Sequence, residues 1–222
     1  MLKTKLSGAL SLFFAALLLT GCRSTPDIPA FTASGYLADR GAVRIWRKND
    51  AHQAIHIRAV FTPFNGDAME FSDYSWRAGK LLSIERHVKG AQPDDVTLRF
   101  DEQGSLSFMQ RQLAGRREAV DNNAVELYAF DAQRMLNISD ALLDGRVFLY
   151  QGRWLGDGDV QSCAGQRLTP GFDADTRNQL AQQQRTNASP LTIAWLEAPE
   201  GVQLLRASQE DDCSWQPQEK DF

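Results

Sequence analysis

The chain has 222 residues, with 28 acidic against 24 basic side chains and a formal charge of −4 at pH 7. This excess of negative charge, without a basic patch interleaved with aromatic residues, argues against nucleic acid as a partner. The length is sufficient for one domain with its own hydrophobic core.

The amino-terminal segment, residues 1–21, has the layout of an export signal. Lys3 and Lys5 form a short positive region, and an apolar run follows over residues 10–19. A membrane-spanning helix needs roughly 20 apolar residues, so this run is too short to be one. The segment is therefore predicted to be a signal peptide.

The run ends in Leu18-Leu19-Thr20-Gly21-Cys22, which resembles the lipobox of bacterial lipoproteins. The resemblance implies that Cys22 becomes the first residue of the mature chain and that its thiol carries diacylglycerol. The alternative is an ordinary signal with an incidental cysteine. In enteric-type lipoproteins an Asp after this cysteine retains the protein at the inner membrane. Arg23 stands there, so the expected location is the periplasmic face of the outer membrane.

Residues 22–34 are polar and carry two prolines, which predicts a tether. The remainder, residues 35–222, is predicted to be a single α+β periplasmic domain. Removal of residues 1–21 leaves 201 residues with a formal charge of −6.

Residues 35–113 alternate between apolar and polar side chains, as strands do. Turn-prone residues divide them into hairpins, the first across Lys48-Asn49-Asp50. The predicted pairs are 43–47 with 54–61, 70–76 with 80–88, and 96–100 with 105–113. Successive hairpins predict an antiparallel meander with one face packed and one face solvated.

The apolar spacing changes to three or four residues over 123–144, which predicts a helix. The predicted stripe comprises Tyr128, Ala132, Met135, Ser139 and Leu142. Asn123 with Glu126 has the outline of a capping box, and Gly145 suits the C′ position.

The rest of the chain is predicted to form more strands and one short polar helix. The strands are 146–150, 160–163, 191–196 and 202–207, and the helix is Asp173–Arg185. The fold class is therefore α+β: mainly an antiparallel β meander packed by one longer and one short helix.

If Cys22 carries lipid, Cys163 and Cys213 are left as an even pair in an oxidising compartment. We predict a disulfide between them. The alternative is Cys163 as a nucleophile, but no histidine lies near it in sequence.

No motif specifies a metal, a cofactor or a reaction. His52 and His56 on one strand would lie roughly 13 Å apart, too far to share an ion, so a solvated sheet face is expected. His87 is interpreted in the same way. Asp157-Gly158-Asp159 is interpreted as a turn rather than a calcium loop, and Glu210-Asp211-Asp212 as a solvated charge run.

Several stretches resemble the YjaH-type lipoproteins of enteric and related bacteria, an uncharacterised family. These stretches are Phe31–Tyr36, Val96–Phe100, Ser107–Leu113 and Ala194–Glu197. The resemblance runs across nearly the whole mature chain and implies no catalytic residue.

Three functions are compatible with these features. The first is a binding or assembly module tethered to the outer membrane, with an envelope protein as partner. The second is a periplasmic inhibitor of a hydrolase such as lysozyme, since the negative charge of an acidic surface attracts a basic enzyme. The third is an envelope enzyme acting on peptidoglycan or lipid. A cleft with two close carboxylates or a histidine would favour the third.

Overall fold

A computed structural model describes residues 28–51, 53–186 and 189–222. The predicted signal (1–21), the predicted lipidation site Cys22 and His52 lie outside these ranges. The expectations attached to them remain predictions from sequence.

The described residues form strands and helices in the order expected for an α+β chain. The strands are β1 (Phe31–Ala38), β2 (Gly41–Asp50), β3 (Gln53–Pro63), β4 (Met69–Arg77), β5 (Lys80–Lys89), β6 (Asp94–Phe100), β7 (Leu106–Leu113), β8 (Arg116–Glu118), β9 (Phe148–Gly156), β10 (Asp159–Ser162), β11 (Arg167–Leu168), β12 (Thr192–Ala198) and β13 (Gly201–Ser208). The helices are α1 (Asn122–Asp144) and α2 (Ala174–Thr186), with short 3-10 helices at Asp212–Trp215 and Glu219–Asp221. The predicted class, a longer and a shorter helix packed on a mainly β fold, is confirmed.

Strands β1 to β8 form one antiparallel sheet in chain order, which we call the meander. The three predicted hairpins are all present in it. The first turn lies later than predicted, because β2 continues through Lys48-Asn49-Asp50. The reason is that Asn49 bonds to the chain that enters β1: its backbone N–H donates to Ala30 (2.8 Å) and its side-chain amide to Pro29 (2.9 Å).

The predicted tether, residues 22–34, is wrong for its last four residues, which begin β1. Phe31 packs on Phe222 with 5.3 Å between ring centroids, and Thr32 and Ser34 are buried. Burial of these side chains explains why a polar segment is ordered as a strand.

The remaining strands form a second antiparallel sheet in the order β11-β10-β9-β12-β13. It packs against one face of the meander, where Trp46 and Val60 are at most 1% exposed. The expectation of a solvated meander face is therefore wrong at this end, because the second sheet covers it. Helix α2 covers the other face of the second sheet around Leu180.

Helix α1 packs on the opposite face of the meander, which we call the helix face. Ala132, Met135 and Ser139 of the predicted stripe are buried there. Buried Arg47 of β2 ties the helix to the sheet by donating to Ser139 (2.9 Å) and to Asp140.

The ends of α1 differ from the sequence prediction by one or two residues. Asp121, not Asn123, is the N-cap, because its carboxylate accepts the Ala124 N–H at 2.7 Å. Gly145 is the C-cap with φ −73°, and Arg146 takes the left-handed conformation with φ +53°.

The C-terminal tail, residues 209–222, turns back over the meander and the second sheet. Cys163 and Cys213 are bridged, with 5.1 Å between their Cα atoms. The expected solvated run Glu210–Asp212 is wrong for Asp212, which is fully buried and pairs with Arg44. Asp212 is drawn inward because the bridge holds the next residue against the second sheet.

Candidate functional site

A cleft lies between α1 and the rim of the helix face, and we call it the helix cleft. It consists of two cavities of about 360 and 640 Å³ that share Arg40, Ser72, Tyr74 and Asp131. Its other polar lining residues are Tyr36, Asp39, Glu70, Arg86, Asp94, Arg111, Tyr128 and Arg134. These volumes lie within the roughly 300–1,000 Å³ that ligand sites occupy.

Strand register brings the sheet residues of the cleft together. Ala59, Ser72, Arg86, Val96 and Arg111 stand opposite one another across five neighbouring strands. Directly opposite residues point to the same face of an antiparallel sheet. Val96 is fully buried in the core under α1, so the two arginines also face the helix side.

The sheet side of the cleft carries a chain of alternating charges. Arg86 donates to Glu70 at 2.7 Å and to Asp94 at 3.1 Å. Arg111 binds the same Asp94 with two bonds, of 2.8 and 3.0 Å. Partly exposed pairs of this kind contribute roughly 0–1 kcal/mol each. They therefore serve mainly to fix the positions of the side chains.

A second group joins the sheet to α1. The Tyr74 hydroxyl donates to Asp131 at 2.9 Å, and Arg134 donates to the other oxygen of Asp131 at 2.8 Å. Tyr74 is 3% exposed, whereas Arg134 lies near the surface. The carboxylate of Asp131 is thereby held in a fixed direction in the lining of both cavities.

The pKa shifts of Asp94, Arg86 and Tyr74 keep these three groups in their ordinary protonation states at neutral pH. Hydrogen bonds from Arg111 and the charges of both arginines lower the pKa of Asp94, against the effect of burial. Burial opposes the charge of Arg86, yet the hydrogen bond and charge of Glu70 raise its pKa. Burial and the negative charge of Asp131 raise the pKa of Tyr74, so its hydroxyl stays protonated. Groups held in this way suit recognition better than proton transfer.

Two features stand at the rim of the cleft. Arg40 is exposed, lines both cavities, and forms no ion pair with any residue in the described ranges. Leu127 and Phe130 of α1 are each 65% exposed, and Leu127 lines the larger cavity. A cation without a partner beside exposed apolar side chains is an arrangement that a ligand can complete.

None of the histidines, cysteines or acidic stretches considered as sites from sequence lies in the helix cleft, although Tyr128 and Met135 of the predicted helix stripe line it. The Cys163–Cys213 bridge joins the second sheet to the tail. The expectation of a solvated histidine face is wrong for His56, which bonds to Asp73 (2.8 Å) and packs under Phe222 (4.6 Å between centroids). His87 bonds to Asp95 at 2.8 Å on the meander surface.

The other two sequence interpretations concern short acidic stretches. Asp157 and Gly158 form the β9–β10 turn, both with positive φ, as a two-residue hairpin turn requires. Asp159 accepts bonds from Arg167 and Thr169, so this turn is not a calcium loop. Within the described ranges, no three His, Cys, Asp or Glu residues are grouped so that they could hold a metal ion.

The positions of Arg86 and Arg111 in the sequence are an indication of the cleft that the sequence predictions did not use. Arg86 alternates with Ile84 and Val88, and Arg111 with Met109 and Leu113, so both arginines share a strand face with apolar residues. A charged residue on a packed face indicates either an ion pair or a site. The carboxylates that they meet depend on register between strands and could not be read from the chain.

No helix within the described ranges is both long and apolar enough to cross a lipid bilayer. A family described as a protein of unknown function, DUF1481, matches residues 33–218. The chain is 42% identical to the uncharacterized protein YjaH of Escherichia coli K12 over 208 residues, which are 93% of this chain and 90% of that protein. No solved structure matches the chain.

Proposed function

The chain belongs to the DUF1481 family, whose function is unknown, and we propose that it is a lipid-anchored binding module of the bacterial envelope. The binding site of this proposal is the helix cleft, and the anchor is Cys22 at the periplasmic face of the outer membrane. The observation that carries the proposal is a cleft whose paired carboxylates are held in direction by arginines, with Arg40 at its rim making no ion pair to any described residue.

The anchor rests on the lipobox-like segment and on the short distance from it to the fold. Asn49 binds the carbonyls of Pro29 and Ala30, so in this proposal residues 23–28 link Cys22 to the fold. Six extended residues reach about 20 Å. In this proposal the Phe31 end of β1 stays close to the membrane.

In this proposal β1 runs away from the membrane, and the cleft rim lies at its far end. The eight residues of β1 span about 23 Å, and Arg40 follows the end of the strand that is remote from Phe31. A ligand in the periplasm would meet Arg40 before it met the tethered end. This placement supports a module that presents its site to another envelope component.

Binding is favoured over catalysis by the state of the cleft carboxylates. Three of the four cleft carboxylates, Glu70, Asp94 and Asp131, each accept a hydrogen bond from an arginine. The fourth, Asp39, is exposed at the rim, and no histidine lines either cavity. A general acid needs a carboxyl whose pKa is raised toward neutrality, and the pKa of Asp94 is lowered.

The anchor is tested with Cys22→Ser and Arg23→Asp in cells supplied with radiolabelled palmitate. The serine variant should carry no label. The aspartate variant should carry label but move from outer-membrane to inner-membrane fractions in a density gradient. Label on the serine variant, or the unaltered protein among inner-membrane markers, would overturn this part of the proposal.

The site is tested with a photo-crosslinking residue placed at Leu127 on the cleft rim. The control position is Leu155 of β9, which is similarly exposed at 52%. We expect a discrete adduct from position 127 only, which Arg40→Glu abolishes and Arg116→Glu, on exposed β8, preserves. The same adduct from both positions, or one indifferent to Arg40→Glu, would show that the cleft is not the site.

A further inference from the structure

Strand β13 is the outer strand of the second sheet. It pairs with β12 along its whole length, and no strand in the described ranges pairs with its other side. The other sheet ends differ: β8 has three residues, all charged, β11 has two, and β1 lies against β9 and β12. Exposed edges of this length are normally blunted by charges or proline. β13 carries one charged residue, Arg206, and no proline.

The free side of β13 opens into a groove of about 500 Å³, which we call the edge groove. Residues 202–207 of the strand form its floor. Leu37, Pro63 and Phe64 form an apolar wall, and Thr176, Gln179 and Gln183 of α2 form a polar wall. Phe64 is 57% exposed, so this wall is open to a partner.

The main chain of β13 has unused hydrogen-bonding groups along this groove. Alternate residues of an edge strand direct their N–H and C=O groups away from the neighbouring strand. Within the described ranges, no backbone bond other than those to β12 involves residues 202–207. The tail does not cover them, because it turns from Ser208 toward β9 and β12.

A β-bulge sets the limits of the regular edge. Ala194 stands opposite Arg206 and Trp195 opposite Leu204, which leaves Leu205 as the extra residue. Leu205 is 4% exposed and packs between the two sheets. The regular edge therefore runs from Gly201 to Leu204, and the bulge changes the direction of the strand after Leu204.

We propose that β13 binds an extended segment of a partner polypeptide as a sixth strand of the second sheet. An extended main chain is the ligand that complements a row of alternating donors and acceptors. A second copy of this chain is a poorer fit, since it would bring its own α2 and its own Phe64 to the same two walls. The site is separate from the helix cleft.

The two walls specify the segment. Side chains of an added strand alternate between its faces, so apolar residues meet Leu37 and Phe64 while polar residues meet Gln179 and Gln183. The two charged lining residues are already engaged, since Asp173 accepts the Thr176 N–H and Arg206 pairs with Glu210. This favours a segment without strong net charge. The partner segment is thus an alternating apolar and polar strand.

The test selects displayed random peptides on the mature chain and maps the best binder by amide hydrogen exchange. We expect protection within residues 201–204, the regular part of the edge, and an alternating sequence. N-methylation of one alternate set of peptide amides should weaken binding about tenfold or more, and the other set should have little effect, because only one set faces β13. Phe64→Ala should weaken binding several-fold, while Leu155→Ala, equally exposed on β9, should not.

Three results would overturn the proposal. One is a binder that protects the helix cleft rather than β13. Another is a failure to enrich any peptide on the intact chain over the Phe64→Ala variant. The third is concentration-dependent dimerisation that protects the same amides, which would assign the edge to a second copy. The crosslinking result from Leu127 is independent of all three.

Discussion

Arg44 of β2 and Asp212 of the C-terminal tail form an ion pair with 2.9 Å between Nη1 and Oδ2, and both side chains are fully buried. Burial lowers the pKa of Arg44 to about 10, and the charge of Asp212 offsets only part of this effect. Asp212 Oδ1 has no hydrogen-bond partner in the described part of the chain. Arg44 also donates to Gln151 (2.8 Å) and Thr62 (2.9 Å). Arg206 Nε lies 3.4 Å from Asp212 Oδ2, so Asp212 is the counter-charge nearest to Arg44, while Asp212 itself has two arginines beside it.

Removal of Asp212 alone is expected to destabilise the protein strongly. Asp212→Ala leaves the Arg44 guanidinium buried without its counter-charge, and such losses amount to about 3–5 kcal/mol of unfolding free energy. The double variant Arg44→Met with Asp212→Leu removes both charges and should lose less than the single variant. Urea unfolding of the purified domain measures both. A double variant that is less stable than Asp212→Ala would contradict this account of the pair.

The N-cap of α1 is Asp121 in the structure, whereas the sequence pattern predicted Asn123, and substitution of each residue distinguishes the two. Asp121→Ala removes the acceptor of the Ala124 N–H and should lower the unfolding free energy by roughly 1 kcal/mol. Asn123→Ala, at the position that the sequence favoured, should change it by only a few tenths. Thermal and urea unfolding compare the two. Equal losses, or a larger loss from Asn123→Ala, would place the cap at Asn123.

Local features of the sequence predicted the meander and both helices. Turn residues and alternation mark hairpins, which form between neighbouring segments of chain. The pairing of β9 with β12 could not be predicted, because β10, β11 and α2 separate the partners in the chain. The cleft could not be predicted either. The sequence shows Arg86 on a strand face with apolar residues, but the contact of Arg86 with Asp94 depends on the register between neighbouring strands.

In the C-terminal tail, composition predicted the disulfide but not the position of the acidic residue beside it. Counting cysteines predicted the Cys163–Cys213 bridge. The burial of Asp212 could not be predicted, since an acidic run normally stays in water. Its position follows from the path of the tail after the bridge, which no local pattern encodes.

The ion pairs of Asp94 in the helix cleft should stabilise the protein at neutral pH and lose this effect in acid. Arg111 and Arg86 lower the folded-state pKa of Asp94 below its ordinary value of 3.8. Its contribution is therefore complete above about pH 5 and is lost as the pH falls through the lower folded-state pKa. The stability difference between the unaltered protein and Asp94→Asn should be constant from pH 7 to about pH 5 and should shrink below about pH 4. Urea unfolding across this range measures it, with Glu102→Gln as a control for the loss of one exposed carboxylate. A difference that grows on acidification would reverse the assigned direction.

The disulfide and the buried ion pair are expected to act as one unit. Loss of the bridge by Cys163→Ser, Cys213→Ser or both should lower the unfolding free energy by about 2–4 kcal/mol, equally in all three, because each removes the same bond. Asp212 precedes Cys213, so release of the tail also loosens the contact with Arg44. Asp212→Ala should therefore destabilise the bridge-free protein less than it destabilises the bridged protein, a coupling of roughly 0.5–3 kcal/mol in a double-mutant cycle.

Trp215, which packs on Trp46 and Phe71, reports the release of the tail through its fluorescence. Additive losses, with Trp215 still packed in the bridge-free protein, would mean that the ion pair holds the tail without the disulfide.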